Sequence, residues 1–206
     1  MSRPKFIYLD LGKVLVDFDV QLMCRQMAEA AGITPERVHQ VVFGSDLQRR
    51  YELGRISSQD FYEEFCQATG TRPDYHRLAW AASAIFELSV AMTPIVTHLA
   101  LCGHRLGILS NTCRQHWEYC TGRFKMLNEL FTVHALSYQM HACKPQPEAY
   151  QRAAELAGCQ PQEIFFTDDT PTHVAAAQSA GFDAVVFTGP RQLAAELRRR
   201  GIELGY

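Results

Sequence analysis

Beyond residue 93 the sequence settles into an alternation that few architectures can absorb. A helical stretch at 94–102 gives way at Gly103 to a strand-like run at 105–110, then to a helix around 114–125, a strand at 132–136, a helix at 147–157 and a strand at 163–167. A helix at 171–180, a strand at 183–187 and a helix at 191–200 complete the series. This rhythm predicts an α/β fold, a parallel sheet with helices on both faces. Gly158, Gly181 and Gly201 fall where helices should stop. One more strand is expected near the start, where residues 5–9 form a short apolar run ending on Asp10 and Gly12.

Between that first strand and the alternating region the periodicity is helical. Val20, Met23, Cys24, Met27 and Ala31 recur at helical spacing before Gly32. Thr34-Pro35 reads as an N-cap with proline at the first helical position, ahead of an apolar face of Val38, Val41 and Val42. Ser57 and Asp60 resemble a capping box, followed by Phe61 and Phe65. Three or four helices and no strand are expected in this block. The organisation is therefore an α/β core of residues 1–18 and 93–206, with an all-helical segment, 19–92, inserted after the first strand. No internal repeat, low-complexity tract or long linker interrupts it.

Composition narrows the functional classes. The 206 residues are 47% hydrophobic and 20% charged, enough to bury a core, and the formal net charge of −2 offers no cationic excess for a phosphate backbone. No nucleic-acid partner is expected. The run Arg198-Arg199-Arg200 reads as a solvated helix end. The N-terminal apolar run is too short for a signal peptide, and no stretch reaches the roughly 18 apolar residues of a membrane span, so the expected location is cytoplasmic, with no membrane contact. Seven cysteines without a Cys-x-x-Cys pair point to reduced thiols filling space rather than to disulfides or zinc.

Four polar clusters stand at the carboxyl ends of expected strands, where parallel sheets gather ligands: Asp10-Leu-Gly12, Ser110-Asn111, Lys144-Pro145 and Asp168-Asp169. Each alone has a structural explanation as a cap or turn. Four in succession, each after its own strand, point to a site.

Tyr8-Leu-Asp-Leu-Gly-Lys-Val-Leu-Val-Asp17, Ile108-Leu-Ser-Asn-Thr112, Cys143-Lys-Pro145 and Phe165-Phe-Thr-Asp-Asp169 together resemble, in order and spacing, the four motifs of the haloacid dehalogenase superfamily. Tyr51-Glu-Leu-Gly-Arg-Ile-Ser57 is similar to a segment in the caps of its sugar-phosphate (glucose-1-phosphate) phosphatases, a branch shared with epoxide hydrolase N-terminal domains. The resemblance implies a Rossmann-like core, a mobile helical cap, and hydrolysis of a small phosphorylated substrate. Asp10 would attack phosphorus and form an aspartyl-phosphate that water then hydrolyses. Oxygen ligands from Asp10, Asp168, Asp169 and the Gly12 main-chain carbonyl suit Mg²⁺. Ser110 and Asn111 would hold the phosphoryl oxygens, and Lys144 would neutralise charge and keep the nearby carboxylates ionised.

One position departs from the family pattern. Phosphatases of this group usually carry a second aspartate two residues after the nucleophile, as general acid; here it is Gly12. Protonation would then come from water, a cap residue or the substrate itself, with slow turnover as one outcome, or the substrate has an easy leaving group, such as a sugar 1-phosphate, which is the favoured reading. Asp17 is expected to cap a helix or shape a loop, with substrate contact or proton donation as its alternative. Cys113 and Cys143 are expected to pack rather than react, and His104, His116, His134, His141 and His173 are assigned no catalytic role. Arg49, Arg50, Tyr51 and Glu52 are candidates for substrate selection. Competing readings are a non-catalytic protein that kept a phosphate and metal site, a metal-independent 2-haloacid dehalogenase, and a phosphotransferase or mutase. A monomer and a homodimer both stay open.

Overall fold

Residues Phe6–Leu9, all buried, form the central strand β1, the base from which the first cluster projects. The computed structural model describes residues 3–204; residues 1, 2, 205 and 206, ends of the expected core segments, lie outside the described residues. After β1 come β2 (Val16–Phe18) and five helices, α1 (Val20–Ala31), α2 (Pro35–Val42), α3 (Leu47–Glu52), α4 (Ser58–Thr69) and α5 (Tyr75–Ser83). Next are β3 (Phe86–Leu88), α6 (Thr93–Leu101), β4 (Leu106–Ser110), α7 (Arg114–Arg123), α8 (Met126–Glu129), β5 (Val133–Leu136) and α9 (Ser137–Met140). The chain continues through α10 (Pro147–Ala157), β6 (Ile164–Asp168), α11 (Pro171–Ser179), β7 (Asp183–Val186) and α12 (Pro190–Arg199).

Five strands make one parallel sheet in the order β5-β4-β1-β6-β7, so the order reverses at β1, and the crevice beside such a strand is the preferred ligand position of open α/β sheets. Side chains of β1 alternate between two cores. Ile7 and Leu9 pack with α6, α7 and α12 through Ile95, Leu99, Trp117 and Leu197, whereas Phe6 and Tyr8 pack with α10 and α11 through Ala149, Tyr150, Ala153 and Val174. Burying each large apolar side chain contributes roughly 1.5–3 kcal/mol, which makes this Rossmann-like sheet a rigid support. The helices α1, α2, α4 and α5 enclose a third cluster of their own, including Met27, Val38, Phe65 and Leu78.

The helical segment departs from expectation in two ways. It holds five helices rather than three or four, and β3, within it, pairs antiparallel with β2, register Val16↔Leu88 to Phe18↔Phe86. Three-residue strands are too short to show a period of two in sequence. The caps are as read: Gly32 ends α1 in the left-handed region, Thr34 caps α2, and Ser57 and Asp60 form a reciprocal box. Asp17 does not cap; Asp19 does, accepting from the Leu22 N–H at 3.0 Å. The cationic run is also not wholly solvated. Arg200 is buried, bonded to both oxygens of Asp183 at 2.5 and 2.6 Å and to Glu196, its guanidinium 4.7 Å over Phe165. All seven cysteines are unpaired, and among the described residues no helix is long and apolar enough to cross a membrane.

The helical segment docks on the α/β core through core side chains that reach its main-chain carbonyls. Ser137 Oγ donates to the Glu52 carbonyl (2.6 Å), and His141 Nδ1 lies 3.0 Å from the Leu53 carbonyl. Gly54, at φ +64°, lies so close to α9 that a β-carbon there would stand 2.1 Å from the Tyr138 carbonyl oxygen. His116 of α7 completes the seam, its Nε2 3.1 Å from the Ala82 carbonyl and its ring edge-on to Phe86. Burial pushes this imidazole down to about 4 from 6.5, so the unfolded chain binds the extra proton and stability rises with pH between those values and is flat above. We expect His116→Gln to lose about 1–2 kcal/mol less stability than wild type on going from pH 7 to pH 5. Urea unfolding at both pH values checks this; equal losses would remove His116 from the acid response.

Candidate active site

Asp10 follows β1 directly, and its N–H donates to the Thr167 carbonyl of β6 at 3.0 Å, which fixes where the carboxylate emerges. Oδ1 accepts the Leu11 N–H at 2.7 Å and lies 2.8 Å from Lys144 Nζ. Lys144 is 3% exposed, and its ammonium also donates to Asp168 Oδ2 (2.5 Å) and to the Leu109 carbonyl (2.9 Å). Its three protons thus have three acceptors. Asp168, fully buried at the end of β6, accepts the Thr170 N–H at 2.8 Å, and His173 Nδ1 lies 3.1 Å from both of its oxygens.

Burial decides the charge state of the nucleophile candidate. It pushes the Asp10 carboxyl up to about 6, Lys144 opposing and Asp168 adding to the rise. The expectation that Lys144 keeps the nearby carboxylates ionised is weakened for Asp10, where removal from water outweighs one shared cation, although a carboxyl at about 6 is still mostly ionised at pH 7. It holds for Asp168: against burial, the hydrogen bond from His173, the charge and hydrogen bond of Lys144 and the Thr170 N–H keep this carboxyl well below the usual range. Against burial too, Asp10 and Asp168 hold the Lys144 ammonium above its ordinary value.

Asp169 completes an acidic group, since one oxygen from each of Asp10, Asp168 and Asp169 lies within 4.8 Å of the others. Three carboxylates face one ammonium, and among the described residues none donates to the Gly12 carbonyl. An all-oxygen set with uncompensated negative charge fits a hard divalent cation.

The second cluster divides its tasks. Ser110 Oγ is buried, with one long bond of 3.4 Å to the Asn111 carbonyl. The Asn111 amide is turned to Lys144: its Nδ2 donates to the Lys144 carbonyl (2.9 Å) and its Oδ1 accepts the Lys144 N–H (2.8 Å). Both polar atoms thus clasp the backbone of another cluster, 33 residues away.

Other candidates are dispersed. Asp17 sits mid-strand in β2, on the side opposite Val16 and Phe18, largely exposed and 3.9 Å from Lys13 Nζ. Tyr51 is buried in the helical segment, its hydroxyl 2.7 Å from Ser58 Oγ and its ring against Phe61, and Arg50 is bound by Glu64 and Asp46. Arg49 remains exposed, while Glu52, bonded to Gln48 at 2.8 Å, has its carboxyl raised by burial. A cleft of about 760 Å³ at the seam, lined by Arg55, Arg114, Tyr138 and His141 among others, includes none of the four clusters. The Cys113 thiol, pushed up to about 12 by burial, is inert packing. His173 is what sequence reasoning missed; its signal was a position on the first turn of the helix after Asp168-Asp169.

Comparison with known proteins agrees with this architecture. A model of the haloacid dehalogenase-like hydrolase family matches residues 44–187. The D-ribitol-5-phosphate phosphatase of Bacteroides thetaiotaomicron is 26% identical over 190 residues, 87% of this chain and 89% of that protein. The pyrophosphatase PpaX of Bacillus cereus is 30% identical over 79 residues, 38% of this chain, and the match spans only 36% of that protein. A crystal structure of a haloacid dehalogenase family enzyme of B. thetaiotaomicron, in complex with magnesium and inorganic phosphate, superposes with a TM-score of 0.79 at 22% identity, over 89% of this chain and 93% of that one. With its sheet, its four strand-end clusters and a family model spanning residues 44–187, this chain belongs to the haloacid dehalogenase-like hydrolases.

Proposed function

We propose that this protein is a magnesium-dependent phosphomonoester hydrolase, cytoplasmic, acting on a small phosphorylated metabolite, with a sugar 1-phosphate as the favoured substrate. The observation that carries this reading is the buried Asp10–Lys144–Asp168 ion triad beside Asp169. Its donors match a phosphate-bearing substrate and a divalent cation, and the relatives named as phosphatases and the neighbour holding magnesium and phosphate support it.

Oδ1 of Asp10 is held by Leu11 and Lys144, which leaves Oδ2 to attack phosphorus. The new Asp10 O–P bond forms as the P–O bond to the leaving group breaks; water then attacks the same phosphorus, releasing phosphate and restoring the carboxylate. Lys144 offsets the anionic charge that approaches Asp10, and the Ser110 hydroxyl is available to a phosphoryl oxygen. Asn111 acts by holding the Lys144 backbone, in place of the direct phosphate contact its motif suggested. Mg²⁺, held by Asp10, Asp168, Asp169 and the Gly12 carbonyl, would supply positive charge against the phosphoryl group. Residues 19–92 would be the cap that closes over the site, with Arg49 and Glu52 as its selecting residues.

The test is phosphate release from glucose 1-phosphate, glucose 6-phosphate, ribitol 5-phosphate, pyrophosphate and 4-nitrophenyl phosphate, each with Mg²⁺ or with EDTA. We expect release that EDTA abolishes and that is faster from glucose 1-phosphate than from glucose 6-phosphate. No release from any compound would favour a non-catalytic binding protein, and equal rates on the two glucose phosphates would remove the leaving-group preference.

A further inference from the structure

Gly12 leaves the site without a side chain where the family's proton donor stands, and the structure shows what occupies that space. Residues 11–16 fold into a tight loop: the Lys13 N–H donates to the Val16 carbonyl (2.7 Å), and the Leu15 and Val16 N–H groups both donate to the Leu11 carbonyl (2.9 Å). The loop returns β2 across Gly12. A β-carbon built there would stand 2.8 Å from Cε1 of Phe18 and 3.5 Å from Cδ1, far inside the roughly 3.5–4.0 Å of carbon–carbon contact. The ring thus lies on the line along which a side chain at position 12 would project.

Phe18 is held in place from two sides. Phe86, its cross-strand partner, packs at 5.9 Å between ring centroids. Lys13, in the left-handed region at φ 59°, sets its ammonium 4.7 Å from the ring centroid and donates to the Phe18 carbonyl at 2.8 Å. Asp17, the neighbouring carboxylate, alternates to the other face of β2, with its Oδ1 3.9 Å from the same Lys13 ammonium. The place two residues from the nucleophile therefore holds an aromatic ring, which has no transferable proton, and the ammonium beside that ring is engaged by the Phe18 carbonyl.

We infer that Phe18 is a specificity-determining residue: its ring replaces the proton donor beside Gly12 and restricts the enzyme to phosphoesters whose leaving group departs unprotonated, such as aryl and anomeric phosphates. This rests on the hydrolase reading above. It also carries a consequence that loss of an acid alone does not: restoring aspartate at position 12 fails unless Phe18 is removed.

The experiment compares kcat/KM with Mg²⁺ for 4-nitrophenyl, phenyl, glucose 1- and glucose 6-phosphate in wild type, Gly12→Asp, Phe18→Ala, Phe18→Leu and Gly12→Asp/Phe18→Ala, with melting temperatures for each. The two aryl phosphates have similar shape and differ chiefly in leaving-group acidity. General-acid help is worth about 10²–10⁴ in rate, so wild type should fall at least about 100-fold from 4-nitrophenyl to glucose 6-phosphate. Phe18→Leu, which keeps an apolar wall, should show the same steepness. Gly12→Asp alone should be slower on every substrate, whereas the double variant should raise glucose 6-phosphate relative to 4-nitrophenyl phosphate by about 10-fold or more. Gly12→Asp alone flattening the series at an unchanged melting temperature, or a flat wild-type series, would overturn the inference while leaving the hydrolase intact. A wild type inactive on all four would overturn both.

Discussion

Replacing Asp10 with asparagine should lower phosphate release by a factor on the order of 10³ or more without lowering the melting temperature of the metal-free protein at pH 7.5. The two halves of this result have separate causes. An amide cannot form the aspartyl-phosphate, and no second carboxylate has the same position, because Asp168 is bound on both oxygens by Lys144, His173 and Thr170. Stability should hold because burial already disfavours the charged form of Asp10, whose carboxyl stands at about 6. The ordinary carboxylate value lies lower, so above pH 6 the ionised group opposes folding, and a neutral isostere relieves that opposition. Single-turnover phosphate release and thermal unfolding measure the two halves. An active Asp10→Asn enzyme would remove the nucleophile.

Lys144→Met should fail on both counts. The ammonium is 3% exposed, spans Asp10 and Asp168, and lies 5.3 Å from the centre of the Phe166 ring. A methionine fills much of the same volume and leaves two buried carboxylates facing each other without their cation. Breaking a buried pair in this way costs about 3–5 kcal/mol, on the order of 10 °C in melting temperature for a chain of this size. Turnover should fall by roughly 10³-fold or more, since the charge that admits an anionic phosphoryl group is gone. Mg²⁺ should recover more melting temperature in this variant than in wild type, because it supplies positive charge to the same carboxylates. A variant as stable and active as wild type would show that Lys144 is only packing.

The sheet was legible because each strand is a short apolar run bounded by turn residues, and Asp10, Ser110, Lys144 and Asp168 were legible because each stands just past such a run. The structure brings Asp10, Lys144 and Asp168 into direct contact. What sequence could not show depends on burial and on partners remote along the chain. Asn111 reads as a phosphate donor until its amide is seen clasping Lys144. Arg200 reads as surface charge because Asp183, which buries it, belongs to another element. β2 and β3 are too short for any periodicity, so the pairing that sets Phe18 against Gly12 left no pattern. The raised Asp10 carboxyl follows from a degree of burial that residue order does not encode.

The central claim is that phosphate passes through a covalent bond to Asp10. The direct measurement is to quench wild type in acid during turnover of 4-nitrophenyl phosphate with Mg²⁺ and to examine the peptide carrying Asp10 by mass spectrometry. The account predicts a phosphoryl group on the Asp10 carboxylate, removed by hydroxylamine and absent from Asp10→Asn. Phosphate release with no adduct on that peptide, or an adduct on a different residue, would contradict it.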